Sequence, residues 1–230
     1  MIIRRLHNWR LSIPEAMALQ TRLASRVSHE DTHHAVNFIA GVDVSTSKSR
    51  GEGTAAVVIL DYPGLNLVEA KTVRGQVDFP YVPGLLTFRE APLALQALEQ
   101  VTIAPDLVFI DGQGIAHPRR FGIAAHIGLI LDLPTIGCAK SRLCGTYEEP
   151  GEERGSFSRL MDGDEHIGAV LRTKTGTRPL FISVGHRISL QQAMEWVLSC
   201  YRGFRLPEPA RLAHQAAGGN LAQKVVTATV

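Results

Sequence analysis

Two aspartates interrupt apolar stretches of this chain in a way that predicts chemistry. Asp43 breaks the run FIAGVDV, and Asp111 ends the apolar run LVFI at residues 107–110. An ionised carboxylate that is buried without a partner is strongly unfavourable, so a positive group must lie beside Asp111. The candidates for that group are Arg119, Arg120 or a metal ion.

The two aspartates can act together if their strands are neighbours in a sheet. The first strand of an antiparallel meander and a following parallel strand are natural neighbours in a mixed sheet. Two carboxylates so close raise each other's pKa unless a cation lies between them. Hard oxygen ligands of this kind suit Mg²⁺ or Mn²⁺. The alternative is that each aspartate caps a strand end or pairs with an arginine.

Other polar residues stand at the ends of predicted elements. Glu90, in LLTFRE, falls in the first turn of a predicted helix, where an acid is also favourable simply because of the helix dipole. Lys140, in IGCAKSRL, is either a solvated lysine or an ammonium directed at a phosphate. His117, in AHPRR, fits a core edge equally well. A metal site bordered by His, Lys and Arg suits phosphodiester hydrolysis, because the metal activates water and the cations neutralise phosphates.

The N-terminal half of the chain reads as a helix followed by a meander. Ser12 and Glu15 have the spacing of a capping box, and apolar residues follow at helical intervals. Three apolar segments separated by short turns then predict antiparallel strands: NFIAGVDVS, GTAAVVILDYPG and LNLVEAKTVRG.

The C-terminal half alternates strands and helices, which is typical of a βαβ crossover added to the meander. The predicted strands are 107–110, 133–139, 167–173 and 179–184, and the predicted helices are 88–101, 119–131, 189–202 and 207–217. Residues 144–165 read as a flexible insertion. The pattern predicts an α/β fold, with a mixed β-sheet flanked by helices.

Composition limits the class of protein. The 230 residues are 45% hydrophobic and 20% charged, with a formal net charge of +2, so we expect one globular domain over 1–230 and no histone-like binding of polyanions. No apolar run is long enough to span a bilayer, and no secretory signal pattern is present. Three cysteines are too few and too irregular for a disulfide framework. We therefore expect a cytoplasmic protein without membrane association.

Several long segments, in order, resemble the endonuclease V family of Mg²⁺-dependent, RNase H-like nucleases. The segments are FIAGVDVS, FPYVPGLLTFRE, DLVFIDGQGIAHPRRFGIAAHIGLILDLPTIGCAKSRLCG, PLFISVGHRISL and YRGFRLPEPARLAH. The resemblance covers residues 38 to 215 and implies an RNase H-like mixed sheet, with an antiparallel three-strand meander plus parallel strands. It implies nicking of nucleic acid near hypoxanthine, the deamination product of adenine.

The resemblance also implies roles for individual residues. Asp43, Asp111 and Glu90 match the family's metal-binding acids, with Mg²⁺ as the cofactor and Mn²⁺ as a substitute. Lys140 matches the lysine that stabilises charge at the scissile phosphate. His214 falls where the family carries a histidine or an acid near the metal, although a solvated helix residue is the alternative.

A second group of residues resembles the family's substrate-binding surface. The segment Pro80–Pro83 resembles a wedge, in which two prolines stiffen the backbone and Tyr81 enters between strands or stacks on a base. Without the family context the same segment is an ordinary proline-rich turn. The wall of a base pocket and its neighbours are implied at Gly84, Leu86, Gly112, His117 and Leu143.

The implied activity is DNA repair. The enzyme would hydrolyse the second phosphodiester bond on the 3′ side of deoxyinosine, leaving 3′-hydroxyl and 5′-phosphate ends, and we expect it to act as a monomer. An inosine-specific RNA endonuclease and a non-catalytic nucleic-acid-binding module are the alternatives. Gln113 replaces the histidine of many relatives, and we expect altered efficiency from it. His29, His33 and His34 form either a solvated loop or a metal cluster.

Overall fold

One eight-stranded mixed sheet organises the computed structural model, which describes residues 1–32, 35–46 and 51–221. The strands are β1 (Phe38–Thr46), β2 (Glu52–Asp61), β3 (Leu67–Gln76), β4 (Leu107–Ile110), β5 (Thr135–Ala139), β6 (Phe157–Asp162), β7 (Glu165–Leu171) and β8 (Leu180–His186). The helices are α1 (Ile13–Ala24), α2 (Leu86–Glu99), α3 (Ile123–Leu131), α4 (Leu190–Ser199) and α5 (Glu208–Ala217). None of the helices within these ranges is long and apolar enough to cross a bilayer.

The strand order confirms the predicted meander and crossover. The order across the sheet is β3-β2-β1-β4-β5-β8-β7-β6, and β2 is antiparallel to both of its neighbours, β1 and β3. β1 pairs in parallel with β4, and β4 in parallel with β5. These central strands are buried on both faces, as their nearly continuous apolar sequences require.

Helices cover both faces of the sheet. On one face, Ala40, Val42 and Ile110 pack in a core to which α2 and α3 contribute. On the other face, Ile39 and Phe109 pack in a core to which α4 and α5 contribute. Because successive side chains of a strand point to opposite faces, the alternation along β1 directs Asp43 to the same face as Ile39, toward α5.

Three sequence predictions need correction. Residues 144–165 are not simply a flexible insertion, because they contain the edge strand β6, which pairs with β7. The helix expected from residue 119 begins at Ile123, since residues up to Gly122 form a turn in which Arg120 has a φ of 53°. α2 begins at Leu86, so Glu90 lies beyond the first helical turn and the dipole does not account for it.

Gly41 allows α5 to approach β1. A Cβ atom placed on Gly41 would lie 2.0 Å from the carbonyl oxygen of Pro209, which is far inside van der Waals contact. Pro209 is in the first turn of α5, the helix that also carries His214. The absence of a side chain at this one strand position therefore sets the distance between the helix and the strand that carries Asp43.

We predict that Gly41→Ala displaces α5 and lowers the free energy of unfolding by about 1–3 kcal/mol, the usual cost of overpacking. The hydrolytic activity that the family resemblance implies should fall as well in the protein that remains folded, because α5 carries His214 and β1 carries Asp43. Urea denaturation measures the first effect, and cleavage assays normalised to folded protein measure the second.

Gly168→Ala is the matched control, because a Cβ there would lie 2.6 Å from the Ile182 carbonyl oxygen, in the part of the sheet formed by β7 and β8. It should destabilise the protein without loss of activity per folded molecule. Equal losses of activity in both variants would show that the contact at Gly41 has no special connection with the site.

Candidate active site

The register of β1 and β4 places Asp43 beside Asp111. Val42 is paired with Ile110, so the next residue of each strand is an aspartate, and the Asp111 backbone N–H donates to the Val42 carbonyl oxygen at 3.1 Å. Ligand atoms of Asp43, Asp111 and His214 all lie within 4.8 Å of one another. The predicted convergence of the two carboxylates is therefore present in the structure.

Two further elements bring nitrogen atoms to these carboxylates. The Lys140 ammonium, just after β5, contacts the Asp111 carboxylate directly. His214 on α5 has its Nδ1 2.7 Å from Asp43 Oδ2 and 3.3 Å from the Lys140 Nζ, while its side chain remains 56% exposed. The cation beside Asp111 is thus Lys140, and the proposed pairing of Asp111 with Arg119 or Arg120 is wrong.

The acids share an environment that disfavours negative charge. Burial, with the neighbouring Asp43 and Asp111 carboxylates, raises the pKa of Glu90 to about 8. Burial and the Asp43 carboxylate also raise the pKa of Asp111, against the opposing effect of Lys140. Three carboxylates from β1, β4 and α2 therefore lie close enough together to repel one another.

This donor set fits a hard divalent cation. It offers carboxylate oxygens from Asp43 and Asp111 with the Glu90 carboxyl nearby, which are the ligands that Mg²⁺ and Mn²⁺ prefer. Lys140 balances only part of the negative charge that the three groups carry when ionised. A cation bound here would offset the burial and the mutual repulsion that raise the pKa of Glu90 and the pKa of Asp111.

A cavity of about 420 Å³ opens beside the acids. Asp43, Glu90, Asp111, Lys140 and His214 form a charged cluster. Two of its members, Asp111 and Lys140, line the cavity. All but one of the residues that the sequence assigned to substrate binding also line it: Tyr81, Pro83, Gly84, Leu86, Gly112, His117 and Leu143. Pro80 is exposed at the start of the same turn, and Tyr81 is 72% exposed at the edge of the cavity. This volume is within the range of small-molecule and nucleotide pockets.

Gln113 lies in the wall of the cavity and connects two loops. Its Nε2 donates to the Ser141 carbonyl oxygen at 3.0 Å, which joins the loop after β4 to the loop after β5. Its Oε1 is buried and has no partner among the described residues. Gln113 therefore supports the cavity.

The two arginines of the HPRR segment contact other parts of the protein. Arg120 pairs with Asp162 and Glu165 around the β6–β7 turn, and Arg119 donates to Gln20 Oε1 and to the Gly84 carbonyl oxygen. Both arginines thus have partners within the protein, and a role for them toward the substrate stays a prediction. They connect the segment to α1, to the turn after Pro83 and to the β6–β7 turn.

His117 is neutral and fully engaged. Its Nδ1 accepts from the Arg119 backbone N–H at 3.0 Å, so Nε2 carries the hydrogen and donates to the Gly84 carbonyl oxygen at 2.8 Å. Burial lowers the pKa of His117 to about 4, helped by the charges of Arg119 and Arg120.

Sequence reasoning missed two supporting residues, Gln20 and Arg205. Gln20 is 1% exposed on α1. Its burial could have been predicted, because it lies four positions after Ala16 and three before Leu23, on the apolar face of the helix. Arg205 Nη2 donates to the Lys140 carbonyl oxygen, and no sequence pattern indicates this contact. The suggested histidine cluster stays untested, because His33 and His34 lie outside the described residues.

Comparisons with known proteins agree with this geometry. A sequence model of the Endonuclease V family matches residues 21–215. The Endonuclease V of Dehalococcoides mccartyi is 53% identical over 215 residues, which are 94% of this chain and 96% of that protein. The crystal structure of Endonuclease V from Streptomyces avermitilis has a TM-score of 0.87 at 41% identity, covering 96% of this chain and 98% of the other.

A further solved structure similar to this chain contains nucleic acid. Ciona intestinalis Endonuclease V, in complex with a 24mer DNA containing an inosine followed by a ribo-adenosine, has a TM-score of 0.79 at 28% identity. The alignment covers 91% of this chain and 97% of that one.

The neutral state of His117 predicts acid sensitivity. Between the unfolded pKa of 6.5 and the folded value of about 4, the unfolded chain binds a proton at this site that the folded protein does not bind. Stability contributed by this group is therefore lost as pH falls through that window, by about 3 kcal/mol in total. Urea denaturation across the window should show a shallower pH dependence for His117→Gln than for the unmodified chain. The same pH dependence in both proteins would contradict the assignment.

Proposed function

The chain belongs to the endonuclease V family, a family of nucleases, and we propose that it repairs DNA by nicking at deoxyinosine. The observation that carries this proposal is that one cavity is lined both by Gly84, Leu86 and Leu143 and by the charged residues Asp111 and Lys140. A base held in that cavity would place the nucleic-acid strand to which it belongs beside the charged cluster. Recognition and hydrolysis would then occur on adjacent nucleotides of one strand.

Hydrolysis would use groups from five elements. Asp43 and Asp111 would hold Mg²⁺ with Glu90 near them, and a bound Mg²⁺ would polarise the phosphoryl group and promote ionisation of the attacking water. His214, held at Asp43, would orient that water for in-line attack, since its half-exposed ring can face solvent. The Lys140 ammonium would stabilise the charge that develops on the phosphate.

The damaged base would be recognised outside the helix stack. Extraction of a base costs a few kcal/mol, and less for the poorly paired hypoxanthine, so extraction itself contributes selectivity. Tyr81, between Pro80 and Pro83, is exposed and would occupy the space that the base leaves. Backbone groups near Gly112 would bind the hypoxanthine edge. We expect the cut at the second phosphodiester bond on the 3′ side, the position that the family resemblance implies.

Inosine-containing RNA is a second candidate substrate. The Ciona intestinalis relative was crystallised with a 24mer DNA in which a ribo-adenosine follows the inosine. Matched DNA and RNA oligonucleotides, each with one inosine in the same sequence, would distinguish the two candidates by their relative kcat/KM.

We predict that Mg²⁺ or Mn²⁺ stabilises the protein through Asp43 and Asp111. At a metal concentration of about 100 Kd the gain is about 2.7 kcal/mol, which corresponds to several degrees in Tm for a domain of this size. Thermal denaturation should show this increase for the unmodified chain and for Asp164→Asn, an exposed control. It should be lost in Asp43→Asn and in Asp111→Asn. An undiminished shift in both variants would place the metal elsewhere.

The central test is a nicking assay on end-labelled duplex DNA with one deoxyinosine. The unmodified chain with Mg²⁺ should give a single cut on the 3′ side of the lesion, with 3′-hydroxyl and 5′-phosphate ends. Asp43→Ala should lower the rate by about 100- to 1,000-fold, because charge stabilisation at the phosphate is removed.

The assay has two other informative outcomes. Cutting of the matched RNA without cutting of DNA would keep the chemistry and make RNA the substrate. Binding to either substrate, with no cutting of DNA or RNA under any metal, would contradict the proposed hydrolysis.

A further inference from the structure

The carbonyl oxygen of Gly84 accepts hydrogen bonds from side chains of two separate segments. The donors are Gln20 Nε2 at 3.1 Å, His117 Nε2 at 2.8 Å and Arg119 Nη2 at 2.9 Å. Gly84 immediately follows the turn Pro80–Pro83 that presents Tyr81. The end of the wedge is therefore anchored to the protein by an unusually large number of donors at one acceptor.

Gln20 is the residue that connects this anchor to α1. Its two amide hydrogens are used by the carbonyl oxygens of Gly84 and of Phe121, the latter at 2.8 Å. Its Oε1 accepts from Arg119 Nε at 2.7 Å. The reversed amide would direct an oxygen at two carbonyl oxygens, so the network fixes its orientation.

The other end of the wedge has a separate attachment. Arg89 Nη1, on α2, donates to the Phe79 carbonyl oxygen at 2.8 Å. The residues between the two attachments form no regular secondary structure, and Tyr81 at their centre is 72% exposed. The orientation of Tyr81 therefore depends on how firmly both ends are held.

We propose that Gln20 is a positioning residue for the wedge, one that fixes Gly84 against α1 and so keeps Tyr81 in place to separate bases. This role rests on the proposed function, because it assumes that Tyr81 enters the DNA at the lesion. Gln20 lines the cavity but is only 1% exposed, and its three hydrogen bonds go to Gly84, Phe121 and Arg119, so its polar atoms are engaged by the anchor.

A wedge is needed only where bases must be separated. In duplex DNA the lesion is stacked and paired, whereas in a single strand much of the cost of extraction is absent. Loss of the anchor should therefore impair cleavage of the duplex and spare cleavage of the single strand. A loss of fold or of catalytic geometry would impair both substrates alike.

The experiment compares kcat and KM of Gln20→Leu on duplex and single-stranded DNA carrying one deoxyinosine in the same sequence. Leucine fills a similar volume without hydrogen bonds. We expect kcat/KM to fall about tenfold on the duplex, the effect of losing the one hydrogen bond that Gln20 donates to Gly84, and to stay within about twofold on the single strand. Thr21→Ala, an exposed neighbour on α1, is the matched control and should change neither value.

Tyr81→Ala tests whether Gln20 acts through Tyr81. If Gln20 acts through the wedge, the double variant Gln20→Leu/Tyr81→Ala should lose little more duplex cleavage than Tyr81→Ala alone. Equal losses on both substrates, no loss on either, or losses that multiply in the double variant would each overturn the positioning role.

Arg119→Lys keeps the test decisive if Gln20→Leu does not fold. Arg119 is only partly buried, and lysine keeps the charge while losing the fork that reaches both Gln20 and Gly84. The same duplex-selective loss supports the anchor, and an equal loss on both substrates overturns it. If the unmodified chain cuts neither deoxyinosine substrate, the proposed function itself fails; if it cuts both and the variants show no selectivity, only the anchor fails.

Discussion

The parallel pairing of β1 with β4 brings together two carboxylates, the buried Asp43 and the half-buried Asp111, and the arrangement of the other elements depends on the balance of that charge. Asp43 and Asp111 follow paired residues of the two strands, so sheet formation alone makes them neighbours. Such a pair is unfavourable in a low-dielectric interior unless positive groups reach it. The Lys140 ammonium, just after β5, is such a group, and α5 adds a hydrogen bond between a ring nitrogen of His214 and Asp43. α2 adds a third acid, Glu90, which increases the attraction for a divalent cation beyond what one lysine can satisfy.

The same loops form the charged cluster and the wall of the cavity, which links recognition with hydrolysis. The chain after β5 carries Lys140 at the acids and then Leu143 at the cavity. Gln113 holds this loop at Ser141, and Arg205 holds it at the Lys140 carbonyl oxygen. A shift of the loop would therefore move the ammonium and the cavity wall together. Correct seating of a base is coupled in this way to correct placement of charge at the phosphate.

Sequence patterns predicted the strands that are buried, because an apolar run is visible in the sequence itself. They did not predict contacts between residues that are far apart in the chain. β1 and β4 were identifiable because their apolar runs are broken only by Asp43 and Asp111. The edge strand β6 was missed because its residues are mostly exposed or half-buried and show no clear alternation. The contact of Arg119 with Gln20 was not predicted because Gln20 lies 99 residues earlier in the chain. The family resemblance identified the residues at the site, but only the folded geometry shows which groups hold them.

The turn between His117 and Gly122 shows why basic residues near a nuclease site need not contact phosphate. Arg120 adopts a φ of 53°, a conformation that costs a non-glycine residue about 1 kcal/mol, and its guanidinium then reaches Asp162 and Glu165. Arg119, one residue earlier, points to α1 instead. The two arginines thus connect the turn to elements on opposite sides, and His117 between these attachments is held neutral against Gly84. The guanidinium groups of this segment are used within the protein, whereas the Lys140 ammonium contacts Asp111 directly.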